Sequence, residues 1–233
     1  MIVVVTREAG ENDQLRRWIG DVATVIEVPV TTTRYREHAE VESELRALDQ
    51  YGEFRSLVVT SARTSQYVDL ARAALGAHAE IFSVGPSTSE ALALRGVAVS
   101  REAPSRVMEL AELISAGPVL ELGARGMRDE LMQELVARGL FVARVACYET
   151  EPVALSETDR SAIGTAHVVV IAAPSAWSVA RSLVAASTWV VVPGPTTFDA
   201  VRAEHERVRQ GWGPDLRVVL ASLDESGPRS QKR

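Results

Sequence analysis

Gly85-Pro86-Ser87-Thr88, followed by Ala91, returns 109 residues later as Gly194-Pro195-Thr196-Thr197, followed by Ala200. Each copy closes an apolar, strand-sized run (residues 81–85 and 188–193) and opens a stretch of helical length. A second pair lies just upstream. Leu57-Val58-Val59-Thr60-Ser61-Ala62 parallels Val169-Val170-Ile171-Ala172-Ala173-Pro174 at a shift of 112. In both copies a strand stops at small residues, a helix follows, and a second strand stops at Gly-Pro. A β-α-β opening also occurs twice, at residues 2–30 and 119–148. Self-similarity of this kind marks a duplicated unit, so the chain reads as two copies of one lobe.

Outward from the repeat, short β-branched runs alternate with amphipathic stretches. The pattern predicts strands at 2–6, 25–30, 56–61, 81–85, 97–100, 119–122, 141–148, 167–173, 188–193 and 217–221. It predicts helices at 12–19, 41–49, 64–75, 87–95, 107–115, 127–137, 176–185 and 196–209. Most strand candidates are apolar throughout, as strands covered on both faces of a parallel sheet are. Regular alternation of the two predicts a doubly wound α/β architecture. Two divisions fit: a sequential cut near Pro104-Ser105, or a nested one pairing residues 1–30 with the C-terminal third. Segments 29–34 and 148–152, both extended in character, suit the nested cut as paired crossovers.

Composition narrows the function. The chain has 233 residues and a net charge of −6, which disfavours nucleic acid as a partner. Its longest apolar runs fall far short of the ~20 residues that span a bilayer. Met1 leads straight into Ile2-Val3-Val4-Val5 with no basic segment before it, so a cytoplasmic location is expected. The single cysteine, Cys147, allows no internal disulfide, and four scattered histidines show no metal-ligand spacing. Residues 225–233 are polar and are expected to be a frayed tail.

In open α/β sheets, ligands bind beyond the carboxyl ends of the strands. The residues predicted there are Thr6-Arg7, Thr60-Ser61-Ala62-Arg63, Gly85-Pro86-Ser87-Thr88, Gly123-Ala124-Arg125, Ala173-Pro174-Ser175 and Gly194-Pro195-Thr196-Thr197. Taken singly, each Ser or Thr is an ordinary helix cap. Six such turns in two matched sets point to a cleft that holds something anionic on backbone N–H groups. Arg7, Arg63, Arg125 and Arg128 lie close enough in sequence to pair with carboxylates. No GxGxxG or GxxxxGK[ST] pattern is present, which disfavours a nucleotide. No Ser-His-Asp order, Cys-His pair or paired carboxylates stand out. An enzyme with these residues works by holding a reactive substrate in one shape. A phosphoacceptor module would need acidic residues where Thr6-Arg7 and Ser61-Ala62 stand.

These motifs, in this order, resemble the uroporphyrinogen-III synthase family nearly end to end. Val3-Val4-Val5-Thr6-Arg7 is similar to the family's first strand and turn, and Leu57 to Ala62 to its strand ending Thr-Ser-Ala. Val84-Gly85-Pro86-Ser87-Thr88 is similar to its Val-Gly-Pro-x-Thr turn. Arg128-Asp129-Glu130-Leu131, with Gly139 and Val145-Ala146-Cys147-Tyr148-Glu149-Thr150, resembles its Arg-x-x-Leu helix and Tyr-x-Thr strand end. Pro174-Ser175-Ala176 and Gly194-Pro195-Thr196-Thr197 complete the set.

The resemblance implies two similar flavodoxin-like lobes joined by a two-stranded linker. Residues 1–32 with 151–224 form the discontinuous lobe and 36–147 the inserted one. It implies a cofactor-free, monomeric enzyme acting on hydroxymethylbilane, a linear tetrapyrrole. Loss of the terminal hydroxyl as water gives an azafulvene, and a spiro intermediate inverts the last ring before closure. Tyr148 matches the tyrosine proposed to assist that departure. Thr6, Arg7, Ser61, Ala62, Gly85, Ser87, Thr88, Arg128, Pro174, Ser175, Ala176, Gly194, Thr196 and Thr197 match positions that hold substrate. Three positions depart from the family pattern: Ala172-Ala173 in place of Thr-Ser, Phe198 in place of a small residue, and Gly123 in place of arginine. The loss at Ala172-Ala173 favours an alternative, a two-lobe module that binds a tetrapyrrole without converting it. Tyr148 and both Gly-Pro turns disfavour it.

Overall fold

The computed structural model describes residues 1–104 and 107–225, so the expected tail lies, but for its first residue, outside the described residues. The chain opens with β1 (Ile2–Val5), α1 (Asp13–Ile19) and β2 (Thr24–Glu27), then runs through β3 (Thr31–Tyr35). Next come α2 (His38–Ala47), β4 (Phe54–Val59), a 3-10 turn over Ala62–Tyr67, α3 (Val68–Arg72), β5 (Leu75–Val84), α4 (Pro86–Ala93) and β6 (Arg101–Ala103). They are followed by α5 (Glu109–Leu113), β7 (Val119–Ala124), α6 (Glu130–Ala137) and the long β8 (Val142–Pro152). The chain ends with α7 (Glu157–Thr165), β9 (Val168–Val170), α8 (Pro174–Ala180), β10 (Trp189–Val192), α9 (Pro195–Arg202), β11 (Val208–Gln210) and α10 (Pro214–Glu225).

These elements form two compact units, residues 1–33 with those from 150 onward, and residues 34–149. The first holds a sheet in the order β11-β10-β9-β1-β2, with its strands parallel. The second holds β3-β8-β7-β4-β5-β6, and β8 through β6 pair in parallel. If β9, β10, β11, β1 and β2 are laid on β4, β5, β6, β7 and β8, the two spatial orders coincide. One unit is therefore a circular permutation of the other. Counted in its own chain order, the first unit reads 2-1-3-4-5, the flavodoxin-type order. Hydrogen bonds from Val153 N–H to Val30 O and from Arg36 N–H to Cys147 O show that β3 and β8 run in opposite directions.

Burial follows the two-residue period of a strand. In the first unit Val3, Val5, Val168 and Val170 pack with Leu15, Ile19, Leu216 and Leu220 under α1 and α10. Val4, Val169, Val190 and Val192 pack on the other face with Ile163, Trp177 and Val201 of α7, α8 and α9. In the second unit Leu57 and Val59 face Val41, Leu45, Val68 and Leu92. Val58 and Phe82 face Leu110, Leu131 and Leu135. Each such side chain contributes about 1.5–3 kcal/mol on leaving water, which is why short all-valine strands suffice.

Four sequence expectations need correction. Residues 217–221 are not a strand but part of α10: Leu216, Leu220 and Leu223 are buried at helical spacing while Val218 is 69% exposed. The predicted helix 196–209 stops at Arg202, and β11 follows. There only Val208 is buried between Arg207 and Arg209, too little apolar surface to register as a run. The strand expected at 97–100 lies instead at Arg101–Ala103. The helix expected at 64–75 is a 3-10 turn, the five-residue α3, and then β5 from Leu75. Helix α7 was not anticipated; a capping box between Ser156 and Asp159 starts it and Ile163 is its buried anchor.

Candidate active site

In the first unit the chain leaves β9 toward β10 and β11 on one side and leaves β1 toward β2 on the other. The β1/β9 boundary is therefore the switch point, where helices diverge to opposite faces and a crevice opens at the strand ends. In the second unit the corresponding boundary is β4/β7. The predicted residues border these two places. Thr6-Arg7, Pro174-Ser175-Ala176 and Gly194-Pro195-Thr196-Thr197 follow the ends of β1, β9 and β10. Ser61-Ala62, Gly85 to Thr88 and Arg128 follow β4, β5 and β7.

Each switch point is fastened by a threonine. Thr6 Oγ1 donates to the Val170 carbonyl at 2.8 Å, and Thr6 is wholly buried. Thr60 Oγ1 donates to the Leu122 carbonyl at 3.1 Å. The Thr6 hydroxyl proton, expected to serve a ligand, is thus committed to holding two strand ends together. Beside Thr60, a Cβ on Gly123 would stand 2.9 Å from Thr60 Oγ1 and 2.7 Å from Met127 Sδ. A larger residue at 123 would have to displace both.

Around β1, Arg7 forms an ion pair with Glu11 at 2.6 Å, and Asn12 Nδ2 donates to the Arg7 carbonyl at 3.2 Å, closing the loop on itself. Helix α8 begins at Ala173 with no side-chain cap, then Pro174, with the buried Ala176 N–H donating back to Ala173 O. The two Gly-Pro turns present their hydroxyls alike: Ser87 and Thr196 are exposed, Thr88 and Thr197 are buried. Their backbones differ. Gly85 has φ 76° and ψ 152°, whereas Gly194 is extended at φ −170°. Ser61 caps the 3-10 turn by accepting from Arg63 N–H at 3.3 Å.

Tyr148 stands at the level of the strand tips because of a bulge. Between Gly123↔Ala146 and Ala124↔Tyr148, β8 advances two residues for one of β7. A regular strand would send Cys147 and Tyr148 to opposite faces; the bulge re-aims one of them, and both join the same core cluster. The ring is 7% exposed, 6.2 Å from Tyr35 between centroids, with Arg63 Cζ 5.9 Å from its centroid. Its hydroxyl makes no hydrogen bond among the described residues and is not one of the sealed polar atoms. The proximity of Arg63 to Tyr148 was not apparent in the sequence, because a register shift carries no compositional signal. Arg125 lies 3.4 Å from Glu149, and Arg128 is exposed.

Loss of water raises two buried groups above their ordinary values, Cys147 beside the strand ends and Glu121 in the middle of β7. Burial pushes the Cys147 thiol up to about 12. Burial likewise raises the Glu121 carboxyl above its ordinary value, with Arg144 opposing. Among the described residues, no group of three or more His, Cys, Asp or Glu could hold a metal ion, and no helix is long and apolar enough to cross a membrane.

The chain matches the family model described as Uroporphyrinogen-III synthase HemD over residues 20–209. Comparison with curated proteins gives no match. Among solved structures, a mutant uroporphyrinogen III synthase of Thermus thermophilus aligns with a TM-score of 0.67 at 16% identity, covering 97% of this chain and 100% of that one. The wild-type protein of the same organism gives 0.53 at 17%, covering 97% and 99%. Uroporphyrinogen-III synthetase of Helicobacter pylori gives 0.60 at 15%, covering 96% and 98%. At such identities the structures speak for the fold, and the match over residues 20–209 carries the assignment. The permuted pair of parallel sheets therefore has a name: the chain belongs to the uroporphyrinogen-III synthase family.

Proposed function

We propose that the chain cyclises hydroxymethylbilane to uroporphyrinogen III with loss of water, acting as a cytoplasmic monomer of two domains, residues 1–32 with 151–224 and residues 36–147. Family membership is the observation that carries this reading. The open backbone turns after β5, β9 and β10 and the exposed hydroxyls of Ser87 and Thr196 support it as anchors for acetate and propionate groups. Arg7, Arg128, Ser61, Ala62, Gly85, Thr88, Pro174, Ser175, Ala176, Gly194 and Thr197 shape the same strand ends, and Thr6 holds them in place.

The bilane closes unaided to the uninverted isomer, so the protein's task is selection between two closures. A hundredfold preference requires about 2.7 kcal/mol, and charge-assisted hydrogen bonds contribute about 1.5–3 kcal/mol each. A few well-placed anchors meet that need without a strong acid or base. Tyr148 donates its proton to the departing hydroxyl, which leaves as water, and the azafulvene is attacked by the substituted carbon of the far ring. The proton is recovered when the last pyrrole regains aromaticity. The nearness of Arg63 to the Tyr148 ring supports including it in the same site.

The test is to supply enzymatically generated hydroxymethylbilane and separate the product isomers. Type III product is expected. Type I alone, with measurable binding of the bilane, would instead establish the non-converting module that Ala172-Ala173 favours.

A further inference from the structure

Glu121, the one charged residue of β7, stands directly opposite Arg144 of β8 in register. Glu121 is 2% exposed on the face shared with Val58 and Val119, and its Oε2 lies 2.9 Å from Arg144 Nε, an ion-pair separation without hydrogen-bond alignment. A buried pair of this kind often adds no stability over an apolar pair of the same size, which directs attention to what else the guanidinium holds. Arg144 Nη2 donates to the carbonyls of Met127, at 3.2 Å, and Arg128, while Nη1 donates to Asp129 Oδ1. Asp129 occupies the N-cap of α6 yet makes no capping bond to its own helix, because its carboxylate is turned to Arg144. From the other side, Met127 packs against Gly123 so closely that a Cβ there would touch its sulfur.

We propose that the Glu121–Arg144 pair is a positioning device: it locks residues 127–129 in one conformation and so fixes where Arg128 presents its guanidinium to a substrate carboxylate. This rests on the proposed role of Arg128 as a substrate ligand. Glu121 aims the fork, and Arg144 spans from the sheet to three acceptors of the loop. A lysine keeps the charge but cannot bridge those acceptors.

Four proteins decide the matter: wild type, Arg144→Lys, the apolar double variant Glu121→Leu/Arg144→Met, and Arg128→Ala. Hydrogen exchange of the 124–130 segment and steady-state kinetics with hydroxymethylbilane are measured on each. In the first two variants, segment exchange is expected to rise with the rest of the second unit unchanged. KM should rise roughly tenfold, the scale of one misplaced charged hydrogen bond, with kcat within about twofold of wild type, a split that mere loss of stability does not produce. The double variant removes the pair without leaving a buried unpaired charge, so it stands in should the lysine variant fail to fold. Arg128→Ala should raise KM with segment exchange unchanged. Unchanged exchange in both variants, or unchanged KM where Arg128→Ala raises it, overturns the positioning role. An unchanged KM in Arg128→Ala overturns the ligand role of Arg128 itself, and the positioning role with it.

Discussion

Replacing Gly85 and Gly194 each by alanine separates two turns that are nearly identical in sequence. At Gly85, φ 76° with ψ 152° lies in a region open essentially to glycine alone, and an L residue held there costs about 1–3 kcal/mol. No clash adds to this, since the nearest atom to a new Cβ is Pro104 O at 3.9 Å. At Gly194 the backbone is extended and a Cβ meets nothing within 4 Å. Loss of unfolded-state freedom then stabilises by about 0.4–1 kcal/mol, offset by the poorer N-cap that alanine makes. The net change at Gly194 is near zero. At roughly 2–4 °C per kcal/mol for a cooperative unit of this size class, Gly85→Ala should lower Tm by about 2–12 °C and Gly194→Ala should leave it in place. Differential scanning calorimetry at fixed pH and protein concentration reads both. A second arm reads function: if substrate lies against the Gly194 backbone, the new methyl group lowers kcat/KM in a protein of undiminished stability. Equal thermal losses at the two positions, or a larger loss at Gly194, would refute the reasoning.

Tyr148→Phe should lower kcat about 10- to 100-fold, the scale of one positioned proton-transfer group, with Tm unchanged because the hydroxyl makes no hydrogen bond among the described residues; unchanged turnover assigns the ring to packing. Thr6→Val should cost about 1–3 kcal/mol by leaving the buried Val170 carbonyl unpaired; urea unfolding checks this, and a change below about 0.5 kcal/mol would show that Thr6 does not fasten the switch point. Cys147, with its thiol raised from 9.0 to about 12, should resist iodoacetamide at pH 8 until the protein unfolds. The sign for stability follows: the contribution is whole below the unfolded value and is lost as pH rises from 9.0 toward about 12, because the unfolded thiol ionises first. Rapid native-state labelling would contradict the burial.

The repeat at Gly85 and Gly194 was enough to announce two lobes because each copy carries its own strand, turn and helix start. What it could not show is that the same Gly-Pro pair adopts two backbones. φ at a glycine is set by its surroundings, and here only Gly85 lies in the left-handed range. Thr6 was legible as a strand-end residue, but its hydroxyl faces Val170 and not solvent, a direction fixed by the neighbouring strand. Tyr148 was found by resemblance, and its approach to Arg63 depends on a one-residue bulge that hydropathy does not record. The misread strand at residues 217–221 has the opposite lesson. Val218-Val219 is a β-branched pair, but the spacing of Leu216, Leu220 and Leu223 is helical, and spacing decides which face is buried.

The permuted connectivity sets a timetable for biosynthesis. Strand β1 is central in its sheet, between β2 and β9, yet its β9 partner residues, 168–170, are made long after it. At ribosomal speeds of about 5–20 residues per second, one apolar edge of Val3-Val4-Val5 waits roughly 10–30 s for that partner. Meanwhile every strand that pairs within residues 34–149 has already emerged. A released chain ending at residue 149 should therefore hold a protease-resistant inserted unit behind a β-α-β segment that trypsin removes.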